Sequence, residues 1–175
     1  ESVAIKAMKK KMLINKNLVH QVNTEKDILQ FARNPFLINL ICSFTTKESL
    51  YIVMEYCPKS LHDLLYDSDS LEACDEDFGW KILNQLSEGL YYLHSQGIVH
   101  RDLKPANVML HVGSEQLTPK VADFGLAKAL TVEGFKKTRT GVAMGTPTYM
   151  APEQIRDASN VDERADIYSL GCILY

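Results

Sequence analysis

Three features are missing from this sequence of 175 residues, and each absence argues against a class of protein. There is no run of about 18 apolar residues, the length that a membrane-spanning helix requires. The formal net charge is −3, whereas a nucleic-acid-binding surface is expected to be strongly basic. The chain does not open with a charged segment followed by an apolar one, as a secretory leader does. We therefore expect no membrane segment and no nucleic-acid partner.

Cysteine is scarce and widely spaced. The cysteines are Cys42, Cys57, Cys74 and Cys172, and their spacing is not typical of a metal site. Each lies in or beside an apolar segment, so we expect buried, reduced thiols and a cytoplasmic location. No internal repeat or low-complexity tract is present. Because 46% of the residues are hydrophobic and 23% are charged, the sequence predicts a folded domain with a substantial core.

The densest polar motif is the eight-residue stretch from His100 to Asn107, with the sequence HRDLKPAN. Short apolar segments flank it, Ile98-Val99 before and Val108 to Leu110 after, and both are predicted to be short strands. This pattern puts a carboxylate, two cations and an amide on a loop, where catalytic residues are common. An ordinary polar turn before a strand is the alternative interpretation.

The motif resembles the catalytic loop of protein kinases, and Lys104-Pro105 resembles the serine/threonine version of that loop. The resemblance covers nearly the whole chain and implies an α+β, two-lobe protein kinase-like fold. Residues 1–57 would form part of the small lobe with its hinge, and residues 58–175 part of the helical large lobe. The resemblance implies that Asp102 is the catalytic carboxylate and that Asn107 binds Mg²⁺.

The stretch from Ser2 to Met8 alternates as a strand does, with Ala4 and Lys6 on one face. It resembles the kinase strand whose lysine, here Lys6, holds the α- and β-phosphates of ATP. A solvated lysine at a strand end is the alternative. The glycine-rich loop that precedes this strand in kinases is missing, so we expect a partial domain, truncated at both ends.

A basic connector from Lys9 to Lys16 and a helix from Asn17 to Arg33 are predicted next. Glu25 shares a helical face with apolar residues, so its carboxylate needs a partner if it is buried. The resemblance implies that this partner is Lys6. A surface glutamate on a solvated helix is the alternative.

Two further strands are predicted at Leu37 to Ile41 and Leu50 to Met54, joined by a polar turn from Thr45 to Ser49. The next residues resemble the kinase hinge, with Met54 beside the adenine pocket and the main chain of Glu55 and Cys57 bonded to adenine. The resemblance thus implies this set of ATP-binding residues: Ala4, Lys6, Glu25, Met54, Glu55, Cys57 and Met109. The glycine pair that follows the hinge in many kinases is replaced by Lys59-Ser60, so the residue that meets the ribose is not assigned.

Leucine and isoleucine recur at helical spacing between Asp75 and Ser95, and Gly97 is expected to end this helix. The stretch from Gly113 to Pro119 is predicted to be a hairpin loop. After it, Asp123-Phe124-Gly125 resembles the kinase element whose aspartate, here Asp123, binds the Mg²⁺ that bridges the phosphates.

A long segment between Asp123 and Glu153 shows no period and is predicted to be a loop. The resemblance implies that Thr146 supports Asp102 and Lys104, and that Lys104 steadies the γ-phosphoryl oxygens. A plain turn residue is the alternative for Thr146.

Regulation by phosphorylation is expected in the same segment, because its cations outnumber its acids. A phosphate would form charge-assisted bonds to Arg101 and Lys128 and order the segment. We expect autophosphorylation in trans, through a transient dimer, at Thr140 first and Thr138 second. Two ordinary solvent-facing threonines are the alternative.

Together the motifs predict a serine/threonine protein kinase that transfers the γ-phosphoryl group of Mg-ATP to a protein substrate. A pseudokinase is expected to lack Lys6, Asp102 or Asp123, and a structural interaction module would not bind ATP. The stretch from Thr24 to Phe44 resembles the basophilic cyclic-nucleotide-regulated group, whereas Pro152 to Gly171 resembles bacterial receptor-type kinases. No subfamily is therefore assigned.

The end of the chain is predicted to carry an exposed apolar patch. Its members would be Ile167, Leu170, Ile173 and Leu174. We therefore expect the 175-residue piece, expressed alone, to aggregate or stay partly unfolded and not to turn over ATP.

Overall fold

The computed structural model describes residues 2–66, 75–113, 116–129, 146–157 and 161–175. Helices and small antiparallel sheets are combined in these residues, which is the α+β architecture expected from the sequence. Cys74, Thr138, Thr140 and most of the predicted long loop before Glu153 lie outside the described residues. No helix in the described ranges is long and apolar enough to cross a membrane.

The amino-terminal part, residues 2–57, contains an antiparallel sheet with the strand order β1-β3-β2. Its elements in chain order are β1 (Val3–Lys9), α1 (Lys10–Asn15), α2 (Val19–Phe31), β2 (Leu40–Thr45) and β3 (Ser49–Glu55). The strand β1 and the helix α2 lie where the sequence predicts them. Along β1, Ala4 and Lys6 share the more buried face, while Val3 and Ile5 face solvent.

The prediction of a basic connector from Lys9 to Lys16 is wrong, because most of this segment forms the short helix α1. Lysine, methionine and leucine are good helix formers, so the basic composition does not oppose a helix here. The first turn is also held by the loop between β2 and β3. The Lys10 N–H donates to the Glu48 oxygen at 2.8 Å, and Lys10 Nζ donates to the Thr46 oxygen at 2.6 Å.

The strand predicted at Leu37 to Ile41 is also wrong in its limits, since β2 begins at Leu40 and continues to Thr45. Leu37 and Ile38 are buried, but their main chain bonds to a different sheet. The Ile38 N–H donates to the Val121 oxygen at 2.9 Å. One apolar run therefore serves two sheets, a division that local periodicity does not indicate.

The carboxy-terminal part begins at Pro58, and its helices surround short strands. Its elements in chain order are β4 (Lys59–Ser60), α3 (Leu61–Tyr66), α4 (Glu76–Ser95), β5 (Ile98–Val99), β6 (Val108–Val112), β7 (Leu117–Val121), β8 (Lys128–Ala129), α5 (Pro152–Arg156) and α6 (Arg164–Leu174). Strands β4, β6 and β7 form one sheet in that order, and β5 pairs with β8.

The long helix α4 has the limits that the sequence predicts. Asp75 caps its start, where the side chain accepts a hydrogen bond from the Phe78 N–H at 2.8 Å. Gly97 follows its end with φ of 69°, a conformation that glycine adopts without strain. The buried stripe of α4 packs into a continuous apolar core that also includes residues of α2 and β3. This shared core fixes the two parts against each other where the catalytic loop emerges.

Three smaller predictions are corrected by the packing. Strand β7 begins at Leu117, so the hairpin loop is shorter than predicted, and Pro119 is tolerated because β7 is the edge strand of its sheet. Leu170 is 5% exposed and belongs to the core, and Ile173 is partly buried against that core, whereas Ile167 and Leu174 are exposed as predicted. Cys42 is exposed because neither face of β2 is covered from Ile41 to Thr45.

Candidate active site

The predicted catalytic loop is anchored by Asp166, a carboxylate of α6 that is 0% exposed. Its two oxygens accept hydrogen bonds from the N–H groups of His100 and Arg101, each at 2.8 Å. His94 Nε2, at the end of α4, lies 2.9 Å from the same carboxylate. Arg101 has φ of 66°, which is strained for a residue other than glycine. The bonds from Asp166 hold this strained turn in place.

Around Asp102, donors from two segments converge on one carboxylate. Lys104 Nζ donates to Asp102 Oδ2 at 2.9 Å, and Asn107 Nδ2 donates to the same oxygen at 3.1 Å. The Thr146 N–H donates to Asp102 Oδ1 at 3.0 Å, and Lys104 Nζ also donates to Thr146 Oγ1 at 2.7 Å. The predicted contact of Thr146 with Asp102 and Lys104 is therefore present. These bonds fix the orientation of the Asp102 carboxylate.

A second charged cluster contains Lys6, Glu25 and Asp123. Lys6 Nζ donates to both Glu25 oxygens, at 2.7 and 2.9 Å, and to Asp123 Oδ1 at 3.2 Å. Burial lowers the pKa of Lys6, but the two carboxylates outweigh burial, so the pKa is raised. Glu25 is 3% exposed, and burial raises its pKa while Lys6 opposes the shift. The pairing of Lys6 with Glu25 that the sequence predicts is present.

Main-chain bonds join the two clusters. The Ala122 N–H donates to the Asn107 oxygen at 2.9 Å, and His100 Nε2 lies 3.0 Å from the Ala122 oxygen. Asp123 follows with φ of 64°, a left-handed conformation, while Phe124 is buried and packs edge-on against His100 at 5.4 Å between ring centroids. Asp123 is thereby held beside the catalytic loop with its own side chain exposed.

The oxygen donors at this junction fit Mg²⁺. The described residues contain no cluster of three or more His, Cys, Asp or Glu that could hold a metal alone. Mg²⁺ commonly uses one or two carboxylates together with substrate phosphates, so a full protein cage is not needed. The Asp123 carboxylate supplies one oxygen. The Asn107 amide nitrogen is engaged by Asp102, which leaves its oxygen turned away from that carboxylate.

The predicted adenine-pocket residues lie on two sheets and on the segment that follows β3. Ala4 is the cross-strand neighbour of Met54, and Met109 lies in β6, opposite Ser60 of β4. Cys57, just beyond β3, is buried, and burial followed by the charge of Glu55 raises its thiol pKa to about 11. Ala4, Met54 and Glu55 thus lie together in the amino-terminal sheet, while Met109 lies in the sheet formed by β4, β6 and β7.

The predicted regulatory residues are described in part. Arg101 is buried, and burial lowers its pKa although the nearby Asp166 raises it. Lys128 lies in β8 opposite Val99, next to the catalytic loop, but its side chain is not described. Thr138 and Thr140 lie outside the described residues, so the phosphorylation site stays a prediction.

Sequence reasoning assigned no site role to Asp166 or Gln154. Gln154 is buried in α5 and its Nε2 donates to the Arg101 oxygen at 2.6 Å, so it holds the same strained turn. Asp166 had a usable signal, because a carboxylate within an apolar helix needs a partner, as Glu25 does. Gln154 had no such signal, since glutamine is common on exposed helix surfaces.

Comparison with known proteins agrees with this geometry. The family model of the protein kinase domain matches residues 1–175. Over 98% of its length the chain is 39% identical to 3-phosphoinositide-dependent protein kinase B of Dictyostelium discoideum, and over 98% it is 34% identical to human 3-phosphoinositide-dependent protein kinase 1. Over 99% of its length it is 38% identical to the serine/threonine-protein kinase fused of Drosophila melanogaster. The chain spans 18%, 30% and 20% of these three relatives, respectively. By its sequence and by the arrangement of its site, the chain belongs to the protein kinase domain family.

Proposed function

We propose that the protein containing this chain transfers the γ-phosphoryl group of ATP to serine or threonine hydroxyls of protein substrates. Membership of the protein kinase family implies ATP, typically with Mg²⁺, and a protein substrate. The observation that carries the proposal is the main-chain link between the Asp102 cluster and the Lys6 cluster, through Ala122 and Asn107. The relatives named above as serine/threonine kinases support the choice of hydroxyl.

In this proposal the Lys6 cluster binds the phosphates. Lys6 donates to the α- and β-phosphate oxygens. Its ammonium group is already oriented by the hydrogen bond to Glu25, a carboxylate that is itself fixed by burial. Asp123 and Asn107 would hold Mg²⁺, which when bound neutralises charge on the phosphates. Ala4, Met54 and Met109 would contact the adenine ring, and the main chain of Glu55 and Cys57 would bond its edge.

The Asp102 cluster acts on the protein substrate. Asp102 orients the hydroxyl and accepts its proton, and Lys104 steadies the γ-phosphoryl oxygens. Thr146 donates to Asp102 and accepts from Lys104, so it keeps both side chains in one arrangement. Positioning and charge neutralisation account for most of the catalysis in phosphoryl transfer, which is the chemistry that these contacts supply.

Regulation is proposed to act through phosphorylation of Thr140, or of Thr138, in trans within a transient dimer. A phosphate carries about −1.5 to −2 charges at pH 7 and would attract Arg101 and Lys128. The pairing of β8 with β5 supports this proposal, because it puts the Lys128 main chain next to the catalytic loop. Mass spectrometry of the full-length protein after incubation with Mg-ATP should find phosphate on these threonines. An active double alanine variant would contradict the proposal.

Replacing Asp102 by asparagine tests the proposed activity directly. In the full-length protein, Asp102→Asn should retain ATP binding, but its rate of phosphoryl transfer should fall about 10²–10⁴-fold. The rate is measured with serine peptides selected from a peptide array. The Lys81→Met variant, which changes an exposed lysine of α4, is the matched control. Transfer by Asp102→Asn within threefold of the wild type would refute the role of this carboxylate.

Nucleotide-dependent melting separates a kinase from an interaction module. ATP at about 100 times its Kd should stabilise the folded protein by about 2.7 kcal/mol, which raises the melting temperature. A protein that binds no ATP would show no shift at any concentration.

A further inference from the structure

Strand β2 is the edge strand of the amino-terminal sheet in the part of the chain that the structure describes, because it pairs with β3 alone. Both faces of β2 are open, since every residue from Ile41 to Thr45 is exposed. Ile41 is 51% exposed and Phe44 is 49% exposed. An open edge strand presents unpaired main-chain groups, to which another strand can add.

The turn between β2 and β3 shows which main-chain groups of β2 point outward. The Thr46 N–H donates to the Ser49 oxygen at 2.8 Å, so the N–H of Thr46 points towards β3. Bonded positions alternate along an antiparallel pair, and the register is regular over residues 42–45. The N–H and C=O groups of Phe44 therefore face β3, whereas those of Ser43 and Thr45 face away from it.

The pairing of β3 with β1 gives the same assignment. The Lys10 N–H donates to the Glu48 oxygen at 2.8 Å, so the even-numbered residues that follow Glu48 in β3 bond to β1. The odd-numbered residues of β3 are left to bond to β2, and Tyr51 among them lies opposite Phe44. Within the described residues, the outward main-chain groups of β2 have no hydrogen-bond partner.

The residues of β2 lack the charges that usually keep an edge strand from pairing. No charged residue, proline or glycine occurs from Phe36 to Thr46, whereas lysine and proline are common protections of such edges. The register shifts between Leu40 and Cys42, at the start of the strand, and the remainder is regular. Because β2 is neutral, two copies of it can approach each other without repulsion between like charges.

A second copy of β2 fits this edge about a two-fold axis. In an antiparallel pairing the outward groups must face one another, so Ser43 of one copy lies opposite Thr45 of the other. The axis then passes beside Phe44, which lies opposite Phe44 of the second copy. This register gives every outward group of Ser43 and Thr45 a partner. A register centred on Ser43 would instead use Ile41, which lies at the shift in register.

Phe44 supplies an apolar contact at the centre of this pairing. Its ring stacks on Tyr51, with the ring centroids 4.9 Å apart and the planes inclined by 13°. Opposite residues at a position without hydrogen bonds have Cα atoms about 4.5 Å apart, so the two Phe44 rings would meet. The stack would then continue across the joined sheet, and aromatic cross-strand pairs stabilise sheets.

We propose that β2 is a self-association surface, to which a second copy of this chain adds its own β2 in antiparallel orientation. The contact is small, so the dimer is weak and short-lived, with a Kd of about 10–100 µM. Its role in catalysis rests on the proposed function, whereas the pairing itself does not. This dimer would be the transient one in which autophosphorylation in trans occurs, because pairing raises the local concentration of one copy beside the other.

Substitutions at Phe44 in the full-length protein test the pairing. Phe44→Lys and Phe44→Glu each bring two like charges together at the axis, which destabilises a cross-strand pair. An equal mixture of the two variants places lysine opposite glutamate and should restore the pairing. Tyr91→Lys, which changes an exposed aromatic residue of α4, is the matched control. Thr45→Pro removes an outward N–H without adding a charge, a change that an edge strand tolerates.

Hydrogen–deuterium exchange of residues 40–46 is the measurement. At about 100 µM wild-type protein, the Ser43 and Thr45 amides should exchange about two- to fivefold more slowly than in Phe44→Lys or Phe44→Glu. Thr45→Pro should lose the protection of Ser43 in the same way. The mixture should recover the wild-type protection, and Tyr91→Lys should match the wild type. Exchange of residues 82–93 in α4 should be equal in all proteins, which shows that the variants are folded.

Autophosphorylation links the pairing to the proposed function. It should slow in Phe44→Lys and Phe44→Glu and recover in their mixture, while transfer to a serine peptide stays unchanged in all three. Wild-type protein with the expected exchange but no transfer to any peptide would reject the proposed function and support the pairing.

Other outcomes would overturn the proposal. Ser43 and Thr45 amides that exchange as fast in the wild type as in the Phe44 variants would show that β2 is not paired with a second copy. Protection that the mixture fails to restore would indicate a structural effect of the new side chains. Protection that appears only when another protein is added would assign the edge to that protein. If the Phe44 variants do not fold, Thr45→Pro decides between these results.

Discussion

Replacing Asp166 by alanine should release the catalytic loop from α6. The change leaves the N–H groups of His100 and Arg101 without their acceptor in a buried site. An unsatisfied buried donor costs about 1–3 kcal/mol, so the two groups together predict a loss of about 2–6 kcal/mol in unfolding free energy. Domains of this kind have about 5–15 kcal/mol in total, so the loss is a large fraction of stability. Arg101 has φ of 66° and would relax once the bonds are gone, so phosphotransfer should fall as well.

Urea denaturation of the full-length protein measures this loss, and hydrogen exchange of a peptide covering residues 98–103 shows whether it is local. Asp166→Asn keeps one acceptor oxygen and should lose about half as much stability as Asp166→Ala. Glu88→Ala removes an exposed carboxylate from α4 and should change stability by about 0.5 kcal/mol or less. If the unfolding free energy of Asp166→Ala is within about 1 kcal/mol of the wild-type value, the anchoring role of this carboxylate is refuted.

Two further predictions concern packing and thiol reactivity. Gly89→Ala should destabilise the protein by about 1–3 kcal/mol, because the new Cβ would lie 3.1 Å from Phe36 Cβ and 3.2 Å from its oxygen. Gly79→Ala in the same helix meets nothing within 4 Å and should be neutral or stabilising by up to about 1 kcal/mol; equal effects in urea denaturation would contradict this account. Cys42 should react with iodoacetamide before Cys57, whose buried thiol has its pKa raised to about 11 and is almost wholly protonated at pH 8. Mass spectrometry at timed intervals checks the order, and faster labelling of Cys57 would show that its burial is wrong.

Helix α4 shows what local sequence can specify. Its apolar spacing, the cap at Asp75 and the glycine at position 97 are all local signals, and the observed limits follow them. The run from Leu37 to Ile41 shows the opposite case. Leu37 and Ile38 are buried whereas Ile41 is exposed, and Ile38 bonds to Val121 while Leu40 begins β2. Which sheet an apolar residue joins depends on a partner far along the chain, so periodicity cannot decide it.

The sequence by itself determined the chemistry of the site. Lys6, Asp102, Asn107 and Asp123 are recognisable from short motifs, because each motif must combine a polar group with a particular loop or strand end. The same motifs indicate the family without any knowledge of the tertiary structure.

Only the tertiary structure decided how those groups are held. Asp166 reaches Arg101 across 65 positions, and Lys120 meets Glu55 from another sheet. The local sequence around a carboxylate or a lysine does not indicate which distant residue will be its partner. The partner is chosen by which faces the shared apolar core brings together, and a buried charge then requires that it be there.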